Sequence, residues 1–199
     1  MATSLMTRAC TPNIWRVKKG YRYIHSGNEP LLIAGVATHT LEMLETQPDI
    51  NVVIVPIGGG SGVAGACIAA HGINPDIRVI AVQAEKAPAA YESWKRKQVA
   101  EAPNATFAEG LSTGRGFELP QQILWQQLDD FVLLSEDEIL QGMLWMLEHA
   151  HTLAEGAGAA SLAAAYKLRE ELQGKKVGII CSGGNASLAT LKMALANTN

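Results

Sequence analysis

Four short stretches carry apolar, mostly β-branched residues with little alternation: INVVIVPI (50–57), IRVIAVQA (77–84), DDFVLLS (129–135) and KKVGIICS (175–182). A strand with one wet face alternates polar and apolar residues, whereas an unbroken apolar run suits a strand covered on both faces, as in a parallel sheet. Between these runs the period becomes helical. Residues 29–47, EPLLIAGVATHTLEMLETQ, predict a helix with Asn28 as its N-cap and Pro30 in its first turn. SEDEILQGMLWMLEHAH (135–151) opens on Ser135, places acids in the first turn and spaces its apolar residues helically. Alanine-rich EGAGAASLAAAYKLREEL (155–172) predicts a helix pressed closely on a neighbour, and NASLATLKMALAN (185–197) a last helix. The first strand also runs through glycines into a small-residue helix.

Strand and helix therefore alternate, and the expected fold class is α/β: an open, mostly parallel twisted sheet with helices on both faces, a three-layer αβα arrangement. Residues 98–120 hold turn formers without periodicity and read as a long surface connection. The expected organisation is an arm, residues 1–20, followed by one domain, residues 21–199.

Composition narrows the function. With 199 residues, 48% hydrophobic and 18% charged, the chain can bury one sizeable core. Its net charge of −3, with Lys and Arg dispersed, gives no basic stripe, so neither nucleic acid nor a membrane surface is an expected partner. A small-molecule ligand is. Cys10, Cys67 and Cys181 have no CxxC spacing and read as reduced thiols of a cytoplasmic protein, without a disulfide framework or a metal site. Residues 1–20 contain no continuous apolar run of the kind found in a secretory signal or membrane anchor.

The candidate chemistry centres on VVIVPIGGGSGVAGACIAA (52–70). Gly58, Gly59, Gly60, Ser61 and Gly62 join a strand's carboxyl end to a helix whose first amides have no internal partners, a natural anion site. The P-loop pattern fails for want of a lysine at the required offset. A dinucleotide fingerprint is formally met by GSGVAG, Gly60 to Gly65, with Glu85 about twenty residues on. Glycines serving only tight packing are a third reading. A second glycine turn, Ser182, Gly183, Gly184 and Asn185, ends the last apolar run, and two such turns at one edge of a parallel sheet converge on a crevice. In EHAHTLAE, His151 and Glu155 would share a helix face if the helix continued, giving a candidate metal pair beside His149; the competing reading is ordinary helix-end histidines. His25, ahead of a helix, reads as a solvated polar residue, with a ligand-facing residue as the alternative.

PIGGGSGVAGACIAA, TLAEGAGAASLAA and IICSGGNASLA, in this order and with YIHSGNEPLLIAG before them, resemble the pyridoxal-phosphate serine/threonine dehydratases of fold type II over residues 21–199. The resemblance implies that Gly58, Gly59, Gly60, Ser61 and Gly62 cradle the cofactor phosphate. It puts Ser182, with Gly183 beside it, at the pyridine nitrogen, and Glu155 near the ring. It also implies a lysine in an S-x-K-x-R-G-A segment, far upstream of the glycine loop, that holds the cofactor as a Schiff base. None of the nine lysines here stands in that context, so the chain corresponds to the carboxyl-terminal portion of the family's length. The expectation is a shortened threonine/serine ammonia-lyase converting L-threonine or L-serine to a 2-oxo acid and ammonia, working with noncovalent pyridoxal phosphate or without a cofactor. Glu155, His25, His39, His149 and His151 are then the candidate bases. Rival readings are a catalytically inactive phosphate- or amino-acid-binding fragment and a dinucleotide-binding domain. Loss of part of the parent fold would expose apolar area, so a homo-oligomer, a dimer, is expected.

Overall fold

The structure, a computed structural model, describes residues 20–197. All but the last residue of the expected arm, with Cys10, lies outside them. The elements run α1 (Pro30–Thr46), β1 (Val52–Pro56), α2 (Ser61–Ile73), β2 (Arg78–Ala84), α3 (Ala89–Arg96), a 3₁₀ turn (Glu109–Leu111), α4 (Glu118–Gln127), β3 (Asp130–Leu134), α5 (Glu136–His149), α6 (Gly156–Lys167), β4 (Val177–Ile179) and α7 (Leu188–Ala196). The strands form one sheet in the order β3-β2-β1-β4, and every pairing is parallel.

Unbroken apolar strands occur here because both faces are covered. Val53 and Val55 of β1 pack with Val79 and Ala81 of β2 against α2, α4 and Ile33 and Leu44 of α1. Val52 and Ile54, pointing the other way, meet Ile80, Val82, Ile139 of α5 and the alanines of α6. The three-layer αβα arrangement expected from the pattern is therefore present. The small residues of α6 let it approach closely: a Cβ on Gly142 of α5 would lie 3.0 Å from both Ala159 O and Ala163 Cβ.

Local signals set most boundaries. Ser135 caps α5 by accepting from Glu138 N, and the Glu138 carboxylate accepts from Ser135 N, a complete capping box. Asn28, however, is not the cap of α1. Glu29 holds that place without a side-chain bond, and Asn28 Oδ1 instead accepts from Leu119 N. The last helix starts at Leu188 rather than 185, capped by Ser187. Residues 98–120 are not simply a surface connection. Ala108, Leu111 and Thr113 are buried, and α4 begins at Glu118. This segment lacks periodicity because it packs through a 3₁₀ turn and glycine contacts, not through one face of a regular element.

Adjacent strands β1 and β4 send the chain to opposite sides of the sheet. The helix after β1 covers the Val53/Val55 face, whereas α7, after β4, joins α5 and α6 through Ala194. This divergence opens a crevice at the carboxyl edge of the sheet, between the two strands whose loops carry the glycine motifs.

Candidate functional site

The loop after β1 is shaped for an anion. Gly60 has φ +96°, a left-handed conformation that favours glycine, and it turns the chain into α2 without any side-chain cap. Ala64 N bonds Gly60 O, but among the described residues no acceptor meets the backbone N–H of any residue from Gly58 through Val63. Six successive unpaired donors, ahead of and within the first turn of a 13-residue helix, make an electropositive concavity. The Ser61 hydroxyl, half-buried and without a partner among the described residues, adds a seventh.

The other side of this loop is filled by protein. A Cβ on Gly58 would strike Gly110 O, one on Gly59 would lie 2.9 Å from the Phe117 ring, and one on Gly60 2.8 Å from Pro120 Cβ. Residues 110–120 thus roof three glycines in turn. His25 meets Phe117 edge to face at 4.8 Å, and its Nδ1 accepts from Gly27 N and Asn28 N, which fixes the ring proton on Nε2. His25 is accordingly a turn-former bracing the strand of chain that lies over Gly59, rather than a merely solvated residue. Gly65 is explained by packing: its added Cβ would stand 2.9–3.0 Å from Ala37 and Ile33 O of α1, so the last glycine of the dinucleotide fingerprint serves helix contact.

The second glycine turn lies at the same edge. Gly183 O accepts from Glu155 N at 3.1 Å, and Gly158 touches the Gly183 backbone so closely that a Cβ there would clash. Glu155 stands at the N-cap of α6, its carbonyl accepting from Ala159 N but its side chain making no cap bond. Its carboxylate lies where a Gly183 side chain would be, and Oε1 would be 3.6 Å from a Cβ on Gly110. A contiguous row therefore runs from Gly58 through Gly110 and Glu155 to Gly183. No hydrogen bond or ion pair engages the Glu155 carboxylate among the described residues. Ser182 is exposed and likewise unbonded.

A pocket of about 220 Å³ opens beside Glu155, walled by Phe107, Glu109, Gly156, Asn185, Ser187 and Thr190 among others. Gly58 to Gly62, Ser182 and Gly183 are not in its wall, so the glycine loop and this pocket are neighbouring features on either side of the Glu155–Gly110 contact. Asn185 lines the pocket, and Ser187 is the cap of α7. Phe107 and Glu109 were missed in the sequence because the irregular segment that brings them here has no periodic signature, and Thr190 because it stands in the first turn of a helix read only as the chain's last element. The candidate metal pair does not form. Helix α5 ends at His149, His151 adopts φ +50°, and the chain reaches Glu155 outside any helix; among the described residues no group of three or more His, Cys, Asp or Glu side chains could share an ion. His39 lies on α1, bonded to Thr40 Oγ1 at 2.8 Å, away from the glycine loops in sequence and paired within its own helix.

A glycine-rich loop after one strand and a serine-glycine turn after its neighbour thus meet at the carboxyl edge of a parallel α/β sheet, the edge at which such folds bind small molecules. The chain belongs to the pyridoxal-phosphate-dependent enzymes, whose family model matches residues 4–183. It is 37% identical over 169 residues to the L-threonine ammonia-lyase of Thermotoga maritima, covering 84% of this chain and 42% of that protein. To the catabolic L-threonine dehydratase TdcB of Escherichia coli it is 38% identical over 174 residues, covering 86% and 53%. Among solved structures, maize serine racemase superposes with a TM-score of 0.87 at 30% identity, over 98% of this chain and 60% of that one. The chain thus spans about half the length of the curated relatives it matches. Among the described residues no helix is long and apolar enough to cross a membrane.

Proposed function

We propose that this chain provides the phosphate-anchoring and ring-facing part of a threonine/serine ammonia-lyase, which releases a 2-oxo acid and ammonia from L-threonine or L-serine. The observation that carries the reading is the run of six unpaired amides, Gly58 to Val63, entering α2. This donor set fits the phosphate of pyridoxal phosphate, which, when bound, supplies the electron sink that acidifies an amino acid's α-hydrogen.

The chain's own residues have separable tasks. The amides of Gly58 to Gly62 and the Ser61 hydroxyl bind the dianion without a lysine or arginine, so charge is balanced by helix α2 and its dipoles. The exposed Ser182 hydroxyl offers the pyridine nitrogen a neutral partner. Such a hydroxyl would hold the ring nitrogen without fully protonating it. The Glu155 carboxylate, without a hydrogen-bond partner among the described residues and pressed against Gly183 and Gly110, is the group placed to hold or move a proton at Oε1. None of the chain's nine lysines stands in the segment in which the resemblance places the Schiff-base lysine. The small-molecule partner is an amino acid, the compartment is the cytoplasm, and the assembly is a dimer that covers apolar side chains such as Leu31 and Leu188, 73% and 78% exposed.

Purified protein incubated with L-threonine, with and without added pyridoxal phosphate, tests the activity through 2-oxobutanoate release. Product removes the inactive-fragment reading; no product in either tube removes the lyase reading for this chain. A cofactor absorption band appearing on titration without turnover supports the second reading, a binding fragment, which the absence of a lysine from the motif residues favours. Light scattering at micromolar concentration checks the dimer, and a stable monomer refutes it.

A further inference from the structure

One polar pair in the core has no part in the chemistry proposed for the crevice. Gln83, on β2, is completely buried, and Thr113, in the segment roofing the glycine loop, is 4% exposed. Burying such groups is costly unless their bonds are directed. Here they form a chain with one sense. Tyr91 N, in the first turn of α3, donates to Gln83 Oε1 at 3.2 Å, which settles the orientation of the amide. Gln83 Nε2 therefore faces Thr113 and donates to its Oγ1 at 3.4 Å, and the Thr113 hydroxyl, having accepted, donates to Gly58 O at 3.3 Å.

The last bond matters because it fixes the peptide that joins Gly58 to Gly59. In a trans peptide the carbonyl and the next N–H point in opposite directions. Tying Gly58 O inward to Thr113 turns Gly59 N–H outward, to the side not roofed by Gly110 and Phe117. Between two glycines this peptide has no side chain to resist flipping, and no other hydrogen bond holds Gly58 O or Gly59 N among the described residues.

We propose that Gln83 and Thr113 are positioning residues that hold the Gly58–Gly59 peptide in the orientation that presents Gly59 N–H to an anion. The proposal rests on the phosphate reading of the glycine loop. Its direct action is on the loop, however, and can be observed without ligand. Thr113→Val keeps the side chain's shape and removes the donor; Thr113→Ser restores the hydroxyl.

Backbone ¹⁵N relaxation of the ligand-free full chain is the first measurement. Gly59 should be as ordered as the neighbouring strand in the parent, become mobile in T113V, and recover in T113S. The second is the affinity for pyridoxal phosphate and for inorganic phosphate as its competitor, with pyridoxal lacking the phosphate as control. T113V should weaken both phosphate ligands roughly 3- to 10-fold, as loss of one neutral hydrogen bond implies, with little effect on pyridoxal. Thermal melting reports whether T113V remains folded, and Gln83→Leu, which removes the relay one step further back, repeats the comparison should T113V not fold. Gly59 dynamics unchanged in a folded variant overturn the proposal. If the parent protein binds pyridoxal phosphate no better than pyridoxal, the phosphate reading falls instead, and relaxation still decides the peptide's anchor.

Discussion

Gly158→Ala sets helix propensity against packing at one atom. In an unobstructed helix, alanine for glycine stabilises by about 0.5–1 kcal/mol. Gly158 is the third residue of α6, yet its added Cβ would lie 3.2 Å from both N and C of Gly183 and closer still to the carbonyl oxygen. Carbon contacts settle near 3.5–4.0 Å, so the serine-glycine turn must retreat by roughly an ångström. Overpacking of this kind costs about 1–3 kcal/mol, leaving a net loss of roughly 0–2.5 kcal/mol after the propensity gain. At about 2–4 °C per kcal/mol for a chain of this size, the melting temperature should fall by up to ~10 °C. Gly35→Ala is the control, because its added Cβ meets no atom within 4 Å in the interior of α1; it should melt about 1–4 °C higher. Among the described residues only Glu155 N holds Gly183 O in place, so the turn yields more readily than the helix, and pyridoxal phosphate affinity should drop further than stability. If G158A melts as high as G35A, the Gly183 carbonyl does not abut α6 and the proposed row from Gly58 to Gly183 is broken.

Two further predictions concern titrating groups. Burial holds the His39 imidazole below its ordinary value of 6.5, against the opposing influence of Glu42. The unfolded chain therefore takes up this proton first as pH falls through 6.5, so His39 contributes stability above that value and loses it below, until the folded pKa is passed. Denaturation midpoints should decline less between about pH 7.5 and 5.5 in His39→Gln than in the parent; parallel declines would exclude the effect. Burial, with a smaller push from Asp129, raises the Cys67 thiol to about 12. A thiol-specific alkylating reagent at neutral pH should modify exposed Cys181 and reach Cys67 only on unfolding, as peptide mapping would show; rapid labelling of Cys67 in folded protein would contradict its burial.

The strands and most helices were legible because burial on both faces leaves a one-dimensional trace. Val52–Pro56 has no polar interruption since Val53 and Val55 meet α2 while Val52 and Ile54 meet α6. Ser135 and Glu138 marked the start of α5 through a short-range bond pattern that sequence spacing encodes. Helices α3 and α4 were not anticipated. Each is short, and part of what fixes them is distant: Gln121 Nε2 of α4 bonds Ala90 O of α3, and Trp125 Nε1 bonds Ser93 O. Such reciprocal support has no local period.

The glycines show most directly how a site can be found in a sequence while its orientation is not. A cluster such as Gly58 to Gly62 suggests that a ligand needs the space where side chains would stand. In the folded chain that space at Gly58, Gly59 and Gly60 is occupied by Gly110, Phe117 and Pro120, and at Gly183 by the Glu155 carboxylate. Close approach is thus made by the protein's own residues 110–120 and Glu155, and an anion can meet the loop only from the face bearing the amides of Gly58 to Val63. Gly110, in a segment read as mere connection, belongs to the same requirement: its own Cβ would fall 2.6 Å from Ala157 Cβ, so neither side of that contact tolerates growth. The glycine spacing therefore locates the cradle, but the roof that decides which face is open lies some fifty residues further along the chain.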